Sequence, residues 1–106
     1  SVDDIEKAVQ RVLPVVREAV GEEFVTDGLD CKSQIGSGAL PLELMPSRAI
    51  AISLRSGQSD AGLTELAATL RALPKPIIGR LSDGSLILDL RCLRDEQGFC
   101  EQLRSL

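Results

Sequence analysis

The chain has no histidine, no tyrosine and no tryptophan, and its only aromatic residues are Phe24 and Phe99. Without histidine it can build neither a Ser-His-Asp nor a Cys-His couple, and it lacks the commonest ligand for zinc, copper and iron. Two aromatics give no stacking platform for single-stranded nucleic acid. Lysine is also scarce: Lys7, Lys32 and Lys75 are the full set. A net charge of −4 argues against nucleic-acid binding by this chain acting alone, because such binding needs a basic footprint. Uncharged runs such as residues 35–42 are short and broken by Gly and Pro, well below the roughly 18–20 apolar residues of a membrane-crossing helix.

What is present is ordinary globular material. With 106 residues, 43% hydrophobic and 26% charged, the chain is one domain's worth of sequence. Cys31, Cys92 and Cys100 form neither a disulfide framework nor a CxxC motif, and each reads as a small, partly buried hydrophobe. Lys32 beside Cys31 is a single neighbour, weak support for a reactive thiol. The odd cysteine count and the lack of a secretory N-terminus point to a reducing, cytoplasmic setting.

Hydrophobic spacing sets the expected elements. Val2, Ile5, Val9, Val12, Leu13, Val16 and Val20 recur at three- and four-residue steps, a helix that Ser1 or Asp3 caps and Gly21 ends. Pro14 inside it predicts a kink or break near Leu13. A short strand is expected within residues 22–32, followed by irregular chain from Ser33 to Pro46. Arg48 to Leu54 alternates as a strand, with Ile50, Ile52 and Leu54 on one face and Ala49, Ala51 and Ser53 on the other. After a turn at residues 56–59, Ser59 or Asp60 caps a helix with Leu63, Leu66, Ala67 and Leu70 inward, stopped by Pro74 and Pro76.

Asp83-Gly84 between two apolar runs is the strongest short signal for a two-residue hairpin turn. It pairs Ser82 with Ser85, and then Leu81 with Leu86, Gly79 with Leu88 and Ile77 with Leu90, these last three pairs on the core side. A last helix over residues 95–106 turns Phe99 and Leu103 inward. The order α-β-β-α-β-β-α implies an α+β fold, a two-layer sandwich with helices on one face of a small, mostly antiparallel sheet.

The other face of the hairpin carries Ile78, Arg80, Ile87, Asp89 and Arg91. Two aliphatics between charges imply that something covers them, and Arg80 could present its planar fork to an anionic group. The run Gly36-Ser37-Gly38 permits close backbone approach, and its amides could cradle an anion, although it lacks the third Gly of a dinucleotide fingerprint. Arg48 is a further candidate, with a surface charge at the strand's entry as the simpler reading. The three lysines lack the desolvated setting of a Schiff-base lysine. The adjacent pairs Asp3-Asp4, Glu22-Glu23 and Asp95-Glu96 read as capping and solubility.

Two stretches carry a family resemblance. Cys31-Lys32-Ser33-Gln34-Ile35-Gly36-Ser37-Gly38-Ala39-Leu40-Pro41 with Leu44-Met45-Pro46-Ser47-Arg48-Ala49 resembles the C-terminal part of bacterial selenocysteine synthase (L-seryl-tRNA(Sec) selenium transferase). Pro76-Ile77-Ile78-Gly79-Arg80-Leu81, followed by Asp83-Gly84 and Leu88-Asp89-Leu90-Arg91, is similar to the same family at the same spacing. The resemblance implies a fold-type I pyridoxal-phosphate enzyme that converts seryl-tRNA(Sec) to selenocysteyl-tRNA(Sec) with selenophosphate, working as a large homo-oligomer. It implies that the cofactor lysine lies upstream, in a large domain, so residues 1–106 are the small C-terminal domain of a longer enzyme and inactive alone. It directs Arg80, Arg48 and the Gly36-Ser37-Gly38 loop toward an interface or substrate cleft, and leaves most tRNA contact to other parts of the protein. Two other readings stay open on the residues: the small domain of a pyridoxal-phosphate paralogue, and a free-standing α+β interaction or regulatory module.

Overall fold

A computed structural model describes residues 2–35, 43–55, 61–90 and 93–106. The elements are α1 (Val2–Val20), β1 (Phe24–Ile35), β2 (Glu43–Leu54), α2 (Ala61–Arg71), β3 (Arg80–Ser82), β4 (Ser85–Asp89) and α3 (Glu96–Arg104). All strand pairs are antiparallel and the sheet order is β1-β2-β4-β3. The α+β fold expected from the sequence is the one observed.

One side of the sheet meets all three helices. Ile50, Ile52, Leu86 and Leu88 pack with Val9, Val12 and Val16 of α1, Leu63 and Leu70 of α2, and Phe99, Cys100 and Leu103 of α3. These strand residues share one parity, so the alternation of the strands selects the face that the helices cover. Burying each such aliphatic side chain contributes about 1.5–3 kcal/mol before entropy is counted.

α1 runs unbroken through Pro14, contrary to the break expected near Leu13. Pro14 and Gln10 both lie on the exposed side of the helix. The carbonyl left without its i+4 donor therefore faces water, which removes most of the penalty. Gly21 ends the helix with φ +91°, its amide donating to the Arg17 carbonyl at 3.2 Å.

β1 and β2 are longer than expected. Their ladder runs from Phe24↔Leu54 to Ile35↔Glu43, so Ser33–Ile35 and Glu43–Pro46 belong to strands. Pro46 had argued for irregular chain, but β4 pairs with β2 only from Ala49 to Ser53. Among the described residues no strand flanks that edge of β2 at Pro46, and a residue without an N–H is tolerated at such an edge. The expected turn at residues 56–59 and the capping residues Ser59 and Asp60 lie outside the described residues.

The Asp83-Gly84 turn has φ +50° and +79°, the left-handed pair that a tight hairpin needs. Ser82↔Ser85 and Leu81↔Leu86 pair as expected. Upstream the strand stops short, because the Ile77 amide donates to the Leu70 carbonyl at 3.0 Å and residues 76–79 stay irregular. Ile77 still enters the core. Leu81, expected on the buried side, is 49% exposed, as β3 is an edge strand with a neighbouring strand on one side only among the described residues.

Candidate functional site

Arg80 opens β3 directly opposite Ile87, which itself pairs with Ala51. Arg48 lies three positions from Ala51 along β2, and an odd separation puts it on the other face of the sheet. The two candidate arginines are therefore not brought together. Arg80 is exposed on the face without helices. Arg48 is on the helical face, its side chain 24% exposed, with Nε 3.0 Å from Asp30 Oδ1 and 3.3 Å from Glu6 Oε2. Three elements meet there: α1 through Glu6, β1 through Asp30 and β2 through Arg48. Gly36, Ser37 and Gly38 lie outside the described residues, as do Arg91 and Cys92.

The aliphatic pair expected beside Arg80 is split. Ile78 is 65% exposed, but Ile87 is 5% exposed. β4 is an inner strand, so Ile87 is flanked by side chains on both neighbouring strands, and it never stood bare as the sequence suggested. Among the described residues the exposed large hydrophobics are Ile78 and Leu81 at the β3 edge, Leu29 on β1 and Leu106.

Arg80 reaches its position through an unusually close approach. A Cβ on Gly79 would stand 2.7 Å from Leu86 Cδ1, 2.9 Å from Leu88 Cδ2 and 3.1 Å from the Ile87 carbonyl. Both leucines are buried, so neither can swing away. Only glycine lets the 76–79 segment lie this close to β4 and deliver Arg80 to the sheet edge.

Several pairings went unread in the sequence. Arg11 on α1 clamps Glu96 on α3 with two hydrogen bonds, Nε to Oε2 at 2.9 Å and Nη2 to Oε1 at 2.8 Å. That clamp holds the Glu96 carboxyl below the usual carboxylate range. Asp95 caps α3 by accepting from the Gly98 amide at 3.0 Å and pairs with Lys75 Nζ at 2.9 Å. The ammonium first, and then the capped amide, lower its carboxyl pKa. Gln102 brackets the Lys75 backbone, donating to its carbonyl and accepting from its amide. Apart from the Asp95 cap, which the sequence already reads as capping, these partners stand 20 to 85 residues apart, and no local spacing rule reports such pairs.

Two shallow clefts follow the seam between the terminal helices. One, about 480 Å³, is lined by residues of the first half of α1 together with Leu93, Arg94 and Glu96. The other, about 520 Å³, joins Pro14, Val15, Glu18 and Ala19 to Leu103, Arg104 and Leu106. α1 and α3 therefore run side by side in the same direction. Neither cleft holds a nucleophile beside a base, and no group of three metal-ligating side chains occurs among the described residues. Burial pushes the Cys100 thiol up, so it stays protonated and unreactive near neutrality. Among the described residues no helix is long and apolar enough to cross a membrane.

Residues 1–94 match the protein family described as SelA: L-seryl-tRNA selenium transferase. The L-seryl-tRNA(Sec) selenium transferase of Methylocella silvestris is 46% identical over 103 residues, covering 97% of this chain and 22% of that protein. Those of Escherichia fergusonii and Edwardsiella ictaluri are 48% and 49% identical over 94 residues, 89% of this chain and 20% of each relative. The chain thus spans about a fifth of the length of the curated relatives it matches and corresponds to their C-terminal part.

Proposed function

This chain belongs to the L-seryl-tRNA selenium transferase family, and on that premise we propose that it is the C-terminal lobe of an enzyme converting seryl-tRNA(Sec) to selenocysteyl-tRNA(Sec) with selenophosphate as donor. The observation that carries this is 46% identity sustained across 97% of the chain.

Pyridoxal phosphate, the cofactor expected for such an enzyme, supplies an electron sink for chemistry at the seryl group when bound. The described residues of this lobe do not fit it. Lys7 is on the exposed side of α1, Lys75 is committed to Asp95, and neither lines the two clefts. In this reading the cofactor and its lysine belong to the large domain of the same protein, the isolated lobe is inactive, and the whole enzyme is a cytoplasmic homo-oligomer.

The lobe's own contribution is a wall. The sheet face turned away from the helices carries small side chains along β2, buried Ala49 with Ala51 and Ser53, and the β3 edge bears exposed Ile78 and Leu81. Small side chains allow another layer to approach, and the apolar edge gains by being covered. Arg80, on that face, is the residue best set to meet an anionic group of the substrate where the two domains adjoin.

The test is a charging assay on the full-length protein with seryl-tRNA(Sec) and selenophosphate. Selenocysteyl-tRNA(Sec) formation supports the reading. Turnover of free amino acids with none of seryl-tRNA overturns it in favour of a pyridoxal-phosphate paralogue. A stoichiometric covalent pyridoxal phosphate adduct on residues 1–106 alone overturns the inactive-lobe assignment.

A further inference from the structure

The ladder between β1 and β2 outruns the sheet it belongs to. β4 flanks β2 from Ala49 to Ser53, and among the described residues the last contact on that side is the Leu90 amide donating to the Arg48 carbonyl at 3.3 Å. Five further pairs, Cys31↔Ser47, Lys32↔Pro46, Ser33↔Met45, Gln34↔Leu44 and Ile35↔Glu43, continue among the described residues as a ribbon of two strands. At about 3.4 Å per residue this arm extends roughly 17 Å past the third strand. Each parent strand has 12 residues, about twice the usual length.

A two-stranded ribbon is marginally stable at best in water. The exposed backbone of its edges also invites unwanted pairing. Pro46, opposite Lys32, guards one edge, since proline cannot donate to an added strand and lysine opposes aggregation. One edge of the arm is thus ill-suited to strand addition, while its sequence still carries Ile35, Leu44 and Met45. That combination suits a ribbon gripped by its faces in a larger body. The relatives supply one, since about four fifths of their length lies beyond the part matched here.

We propose that the paired stretches 31–35 and 43–47 form a docking arm seated on the large domain of the same polypeptide. The inference rests on the reading of this chain as the C-terminal lobe of a longer enzyme. It adds which part of the lobe makes the principal anchoring contact.

Hydrogen exchange on the full-length enzyme tests it, comparing peptides from the arm with peptides covering 49–53. Protection of the arm within about tenfold of residues 49–53 is expected. Arm amides exchanging a thousandfold faster than those of 49–53 overturn the proposal. A photo-cross-linking residue at position 32, in a mixture of isotopically light and heavy protein, identifies the neighbour. Links to the segment preceding Ser1 within one copy support the arm's seat; links between copies, or to residues 1–106 alone, overturn it. The charging assay is read separately: a protected arm without selenium transfer sinks the enzyme reading and keeps the inference, and transfer with an unprotected arm does the reverse.

Discussion

Arg11 and Glu96, 85 residues apart, join α1 to α3 through two parallel hydrogen bonds of 2.9 and 2.8 Å. Because the clamp lowers the Glu96 carboxyl below its unfolded value, its stabilisation is present above the unfolded pKa and is lost as pH falls through the folded one. The urea midpoint of Glu96→Gln should therefore fall below that of the natural protein at neutral pH. The two should converge as the pH falls below the ordinary carboxylate range and through the lowered Glu96 pKa. A gap that persists unchanged into acid would show that the carboxylate charge is not what matters at this joint.

Gly79→Ala should destabilise the lobe by about 1–3 kcal/mol, since the new methyl meets two buried leucines and a backbone carbonyl. Thermal unfolding reads the loss. Gly84, whose Cβ position meets nothing, is the contrast: Gly84→Asn keeps a residue that tolerates positive φ and should cost well under 1 kcal/mol.

Thr26 is 2% exposed, and its hydroxyl is buried without a hydrogen-bond partner. Thr26→Val keeps the shape and removes the unmet polar group, so stability should rise by about 1 kcal/mol. A fall of that size would reveal a hydrogen bond made through water.

Arg48 and Arg80, on opposite faces, should separate in their effects. Arg48→Ala removes the partner of Glu6 and Asp30 and should cost roughly 1–2 kcal/mol of stability. Arg80→Ala should leave stability within about 0.5 kcal/mol and lower selenium transfer by the full-length enzyme by tenfold or more, about 1.4 kcal/mol in the barrier. Equal losses of stability for both variants would remove Arg80 from the substrate wall.

Local chemistry made much of the fold readable. Asp83-Gly84 announced its turn through the backbone it requires, and the alternation of Ile50 and Ile52 picked the buried face of β2. The failures share a cause: tertiary context overrode a local rule. Pro14 was tolerable because its side of α1 is wet, and Pro46 because no strand among the described residues flanks that edge of β2 there. Ile87 looked exposed by parity, yet β4 became an inner strand through a pairing with β2 that no hairpin signal foretells. The candidate site was less legible. Arg80 stands out in the sequence by its odd company, but its separation from Arg48 depends on a three-strand register, visible only once the sheet is assembled.

The parallel course of α1 and α3 has an electrostatic result. Two helices side by side in one direction add their peptide dipoles where an antiparallel pair would cancel them. Asp3, Asp4 and Glu96 sit at the amino ends, and Arg17 and Arg104 at the carboxyl ends, each opposing the partial charge it adjoins. The lobe thus has a built-in polarity muted by its own side chains. Reversing those end charges would push the two terminal helices apart most strongly in dilute salt, where screening is weakest.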